Sequence, residues 1–86
     1  MPAAYRLILH PAVRRDVKSI PRHDLQRILN RIEALVDDPR PPGTRKIDDP
    51  GVYRIRQGDY RIIYNIDDAQ RVVEILRVGH RREVYR

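Results

Sequence analysis

Apolar residues recur along this chain with two different periods. Leu25, Ile28, Leu29, Ile32, Leu35 and Val36 fall at i, i+3, i+4, i+7, i+10 and i+11. That spacing predicts an amphipathic helix with one buried stripe. Asp37-Asp38-Pro39 ends it. Upstream, Val13, Val17 and Ile20 keep helical spacing behind Pro11, which suits the first position of a helix, and Pro21 separates the two helices. Elsewhere the period is two. Tyr5-Arg6-Leu7-Ile8-Leu9 reads as a short strand, and strands are predicted over about 52–57, 60–66 and 71–79.

The strands at 52–57 and 60–66 form a hairpin. Gly58-Asp59 is a two-residue turn with glycine in the first position, the signature of a type II′ turn. The ladder then pairs Arg56 with Arg61 and Ile55 with Ile62. Successive side chains point to opposite faces of a strand. Tyr53, Ile55, Tyr60, Ile62 and Tyr64 therefore share an apolar face, and Arg54, Arg56 and Arg61 share the other. Like charges placed opposite one another are destabilising. Their gathering points to an anion held there.

Asp67-Asp68-Ala69-Gln70 supplies the next turn. Val72, Val73, Ile75, Leu76 and Val78 make the last strand apolar on both sides, so it is predicted to be central or covered. Residues 37–51 carry four prolines and two glycines, which forbids regular structure over most of that stretch. Arg45 and Lys46 lie in this loop, and the sequence favours Lys46 over Arg45 as a contributor to a binding surface. The order β-α-α-β-β-β predicts one α+β domain over residues 1–86, a helical hairpin packed on an antiparallel sheet.

Composition narrows the chemistry. The chain has 86 residues, no cysteine and a net charge of +6. Such a balance favours a polyanionic partner. Lys18 and Lys46 are the only lysines, so the cations are overwhelmingly arginines, which grip phosphate in a planar, bidentate fork. The codon bias of a GC-rich genome and simple solvation of helix faces account better for Arg14, Arg15, Arg22, Arg27 and Arg31 than a binding role does, and less well for the hairpin arginines. No apolar run approaches the length of a membrane span, and the start of the chain lacks a secretory signal pattern, so a cytoplasmic protein is expected.

Most catalytic classes find no footing. His10, His23 and His80 do not pair with one another or with carboxylates at metal-ligand spacing, so no metal is expected. No Gly-rich phosphate loop precedes a helix, and Ser19 is the sole serine. What is left is a cationic site. Arg54, Arg56 and Arg61 can hold a phosphodiester and stabilise the charge that builds on it under attack. RNA carries its own nucleophile, the 2′-hydroxyl. A histidine side chain can change charge between about pH 5 and 8, so His80 is a candidate for acid or base work. Tyr85 can hydrogen-bond or stack on a base, and Arg81 and Arg82 add charge. Arginines on a hairpin are more often a solvated or RNA-holding surface than a catalytic group. The residues alone thus define a basic, RNA-directed domain.

The run Val52-Tyr53-Arg54-Ile55-Arg56-Gln57-Gly58-Asp59-Tyr60-Arg61-Ile62-Ile63-Tyr64 resembles the hairpin of the RelE/ParE superfamily of toxins. The ending Val78-Gly79-His80-Arg81-Arg82-Glu83-Val84-Tyr85 resembles the RelE branch in particular. The upstream strand, helices and proline-rich loop match in order and length. This resemblance implies a ribosome-dependent endoribonuclease that cuts mRNA in the A site without a metal or cofactor. The family carries basic residues where this chain has Arg54 and Arg56, arginines at Arg61 and Arg81 and a tyrosine at Tyr85, which implies catalytic roles for Arg54, Arg61, Arg81 and Tyr85 and an RNA contact at Arg56; Arg45, Lys46 and Arg82 are expected to hold RNA from their charge and place in the chain. The resemblance also implies a cognate antitoxin whose acidic or amphipathic segment wraps the toxin, with promoter DNA contacted only through that antitoxin. Where this chain has Arg54 and Arg56, the best-studied members carry lysines, one of them a proposed base. Arginine stays protonated and is a poor base, so His80 is expected to compensate. Two other readings share the pattern: a ParE-type inhibitor of DNA gyrase, and a catalytically degenerate module that only binds RNA or antitoxin.

Overall fold

The structure, a computed structural model, describes residues 4–47 and 50–80. Five strands form one sheet in the order β1-β5-β4-β3-β2, with two helices on one face. The strands are β1 (Arg6–Leu9), β2 (Arg45–Lys46), β3 (Val52–Gln57), β4 (Tyr60–Asp67) and β5 (Val72–His80). The helices are α1 (Pro11–Asp16), continued by a 3-10 turn over Val17–Ser19, and α2 (Arg22–Asp37).

The predicted α+β class holds. The sheet itself is mixed: β1 runs parallel to β5, with Leu7 opposite Val73 and Leu9 opposite Ile75, while the other pairs are antiparallel. A parallel partner needs a long crossover. Here the crossover is the helical pair together with β2–β4, which puts β5 between β1 and β4 as far as Ile75, in keeping with its apolar composition.

Each helix forms for local reasons. Pro11 opens α1, where a missing N–H is no loss, and His10 caps it by accepting from the Ala12 N–H at 3.1 Å through Nδ1. In α2, Ile28, Ile32 and Leu35 are buried at i, i+4 and i+7 against the sheet. They meet Ile55, Ile62, Tyr64, Ile66, Val73, Ile75 and Val78 to make the core. Fully burying such a side chain contributes about 1.5–3 kcal/mol.

The hairpin follows the register read from the sequence. Ile55 pairs with Ile62 and Arg56 with Arg61, and Gly58 takes φ 61° at the turn. The β5 strand departs from simple alternation. Ile63 pairs with Arg77, but Tyr64 pairs with Ile75, so Leu76 is an extra residue in a β-bulge. Val73 and Ile75 point to the helices before the bulge, and Val78 does so after it. Without the bulge Val78 would point to the open face.

Beyond Ile75, no strand among the described residues lies on the outer side of β5, because β1 ends at Leu9. Asp16, the last residue of α1, covers this edge. Its Oδ2 accepts from the Val78 N–H at 2.9 Å and from Arg77 Nε at 2.9 Å, and its Oδ1 accepts from Arg77 Nη2 at 3.1 Å. Burial opposes the charge on Asp16. The bonds from Arg77 and Val78 outweigh it and hold the carboxyl below its ordinary value.

At the other end of the sheet, Asp68 is shared. It accepts from the Tyr5 hydroxyl at 2.6 Å and from Arg40 Nη1 and Nη2 at 3.2 and 2.9 Å. These hydrogen bonds, the one from Arg40 first, pull its carboxyl down to about 2. Arg40 also lies over the Tyr53 ring, 5.1 Å from its centroid, and bonds the Tyr53 hydroxyl. The proline-rich loop is thereby fastened to β3 and to the β4–β5 turn.

Candidate functional site

The open face of the sheet is built from the residues that alternate with the core. Arg56 stands opposite Arg61, and Arg54 opposite Ile63. Directly opposed side chains lie on the same face, about 5 Å apart at Cβ. The short strand β2 extends the row, since Arg45 stands opposite Arg54. Four arginines from three adjacent strands thus share one face: Arg45 and Arg56 exposed, Arg54 and Arg61 half-buried. On the far side of β4, Gly79 stands opposite Arg61. The basic end therefore has a strand position without a side chain beside its half-buried arginine. The other end of the same face is not basic, because Asn65 stands opposite Glu74 there.

Regular structure in the loop was not expected. The two-residue strand β2 decides which of its cations joins the arginines. It is Arg45. Lys46 stands opposite Tyr53, whose ring packs with Tyr64 on the helix side, 6.1 Å between centroids. The preference for Lys46 over Arg45 is therefore reversed by register.

His80 is likewise on the other side. It stands opposite Tyr60 and meets that ring edge-on at 5.9 Å. Both line a 390 Å³ pocket with Arg15, Asp16, Ser19 and Ile20 of the helical layer. Strict alternation from Val73 and Ile75 would have put His80 among the arginines; the Leu76 bulge turns it away. The expected compensation by His80 for a missing lysine does not fit this placement. Arg81, Arg82 and Tyr85 lie outside the described residues. Among the described residues no three histidine, aspartate or glutamate side chains gather into a metal-holding group.

Chemically, the face offers fixed positive charge. Arginines placed to meet a phosphodiester can bind it and stabilise charge developing on its oxygens. None of them can take a proton at neutral pH.

A second surface is apolar. Leu9, Val13, Val17, Leu25, Leu29 and Ile32 line a groove of about 490 Å³ between the helices and β1. Leu7, Ile8, Leu9 and Leu29 are the large apolar side chains most open to solvent among the described residues. Leu9 and Leu29 belong to the groove, whereas Ile8, opposite Glu74, lies on the open face of the sheet.

A small α+β domain with a helical pair on one side of its sheet and a row of arginines on the other presents one strongly cationic face. Comparison with known proteins makes the assignment specific. The family described as the ParE toxin of the type II toxin–antitoxin system matches residues 7–85. Toxin RelE of Mycobacterium tuberculosis is 36% identical over 73% of this chain and 75% of its own. Toxin RelG of the same organism is 50% identical over 36 residues, a match spanning 42% of this chain and 41% of that protein. The RelE chain in the archaeal RelE–RelB complex from Pyrococcus horikoshii superposes with a TM-score of 0.82, at 30% identity, covering 93% of this chain and 98% of that one. The chain belongs to the RelE/ParE family of type II toxins, and its relatives place it on the RelE branch.

Proposed function

We propose that this chain is the toxin of a RelBE-type pair and that it cleaves mRNA in the ribosomal A site. The observation that carries this reading is the row of arginines across β2, β3 and β4 on the sheet's uncovered face. Arg45 and Arg56, at its exposed rim, hold the RNA backbone. Arg54 and Arg61, half-buried, have less water around them, so their charge acts more strongly on a bound phosphodiester. The 2′-hydroxyl, losing its proton to solvent, attacks the adjacent phosphorus in line; the P–O5′ bond breaks, leaving a 2′,3′-cyclic phosphate and a 5′-oxygen that takes up a proton from water, while the guanidinium groups stabilise the negative charge of the pentacovalent transition state. Arginine supplies no base. Arg81 and Tyr85, matched to the family's ending, contribute from the segment after His80, with Arg82 as a further RNA contact.

The partner of this toxin is a cognate antitoxin, as RelB is for RelE in the archaeal complex. A net charge of +6 speeds capture by an acidic chain, and the exposed apolar residues beside β1 give that chain something to cover. The ribosome and its message place the activity in the cytoplasm.

The ParE description of the matching family supports a second reading, inhibition of DNA gyrase. One experiment separates the two. Ribosomes carrying a defined message and a vacant A site are incubated with the purified toxin, and new RNA ends are mapped by primer extension. Cleavage within the A-site codon is expected. An intact message together with trapped gyrase–DNA cleavage complexes would replace this reading with the second, and neither effect would leave a degenerate binding module.

A further inference from the structure

The Tyr64 ring is fully buried on the core face of β4, yet its hydroxyl is used at the surface loop. It donates to the Pro39 carbonyl at 2.7 Å, a bond buried inside the protein. The Thr44 hydroxyl lies 3.2 Å from the same oxygen. A phenol has one proton, already committed to Pro39, so Thr44 is the donor in the second bond. One oxygen atom therefore ties the second residue after α2 to the last residue before β2. Between them the chain turns back, with the Thr44 N–H donating to the Pro41 carbonyl at 3.0 Å and Gly43 at φ 96°.

This staple matters because β2 holds itself poorly. It is two residues long and lies at the sheet edge. Its neighbour Ile47 adds a bond to the Val52 carbonyl at 2.9 Å. So short a strand depends on the loop that delivers it. A slip of one residue would exchange Arg45 for Lys46 on the arginine face, since neighbouring side chains point to opposite faces. We infer that Tyr64 is a positioning residue for the RNA-facing surface: its hydroxyl staples Pro39 and Thr44 and so fixes Arg45 beside Arg54. The inference rests on the reading of the arginine face as RNA-binding.

The test is a double-variant cycle on a labelled single-stranded RNA oligomer, read by fluorescence anisotropy across salt concentrations. Tyr64→Phe keeps the ring and its packing and removes only the hydroxyl. Each phosphate contact on a single strand contributes a slope of about −0.7 in log K against log salt. Arg45→Ala is expected to lower the slope by about 0.7 through loss of one contact. Tyr64→Phe is expected to lose the same contact, and Thr44→Val, which leaves the core untouched, part of it. The double variant Arg45→Ala/Tyr64→Phe should bind no more weakly than Arg45→Ala alone. Faster amide exchange at Ile47 in Tyr64→Phe, with Val73 and Ile75 unchanged, would accompany this. An additive double variant, or Tyr64→Phe and Thr44→Val with wild-type slopes, overturns the inference. A wild-type chain that binds no RNA removes the reading it rests on, which is a distinguishable result.

Discussion

The two faces of this sheet are built by the same strands and obey opposite rules. On the helix side, side chains are matched: Ile55, Ile62, Tyr64, Val73, Ile75 and Val78 close against α2, and the described polar atoms there have named partners such as Pro39 and Asp16. On the open side, arginine faces arginine across the β3–β4 ladder. The first arrangement lowers the free energy of the fold. The second raises it slightly, and the phosphates of the proposed RNA substrate would relieve it. Stability and activity should therefore separate by face, residue by residue, along a single strand.

The largest effects should appear when each face loses its central member. Ile62→Ala removes a fully buried side chain and should cost about 2–5 kcal/mol in a denaturant melt, through lost burial and an unfilled cavity. Its neighbour Arg61→Ala should cost about 10²–10³-fold in single-turnover cleavage, with stability within about 0.5 kcal/mol of wild type. A comparable loss of stability in both variants would erase the distinction between the faces.

Next comes the edge of β5. Asp16→Ala leaves the part-buried Val78 N–H without its acceptor and frees Arg77, and should destabilise by about 1–3 kcal/mol. Equilibrium melts of Asp16→Ala and Arg77→Ala check this. The Arg77 variant should cost less, because its side chain is roughly half exposed (47%) and the Asp16–Val78 bond survives.

Acid sharpens the comparison at the opposite end. Asp68 has a folded value of about 2 against an ordinary 3.8, so it binds its proton less readily when folded. Its contribution is complete above the ordinary value and is lost as pH falls from about 4 through about 2. Thermal melts of wild type and Asp68→Asn should differ above pH 4 and converge near pH 2. A constant gap would mean that the Arg40 and Tyr5 bonds do not act through the carboxylate charge.

The smallest effect belongs to Arg56. It is exposed and faces Arg61, so Arg56→Gln should leave stability unchanged or raise it slightly while weakening RNA binding. A melt showing clear destabilisation would mean that Arg56 contributes to the fold.

These differences also explain what the sequence made legible. The hairpin was readable because Gly58-Asp59 sets a register and the period of two does the rest, so Arg54, Arg56 and Arg61 fell together correctly. The helix over Arg22–Asp37 was readable from Ile28, Ile32 and Leu35. Three features were not. The parallel run of β1 depends on where the crossover returns, which no local pattern of Leu7 and Leu9 encodes. The two residues of β2 lie in a stretch of prolines and glycines, and their pairing depends on the Tyr64 hydroxyl reaching Pro39 and Thr44. The bulge at Leu76 adds one residue to an apolar run in which either parity looked acceptable, and that residue decides where His80 points.

The central claim is that the chemistry belongs to the open face. The most direct measurement compares Arg61→Ala with His80→Gln by primer extension on ribosomes carrying a message with a vacant A site. The account predicts that Arg61→Ala loses the A-site cut, and that His80→Gln keeps it with an unchanged dependence of rate on pH. A cut that survives in Arg61→Ala, or that loses its neutral-pH limb in His80→Gln, would contradict it.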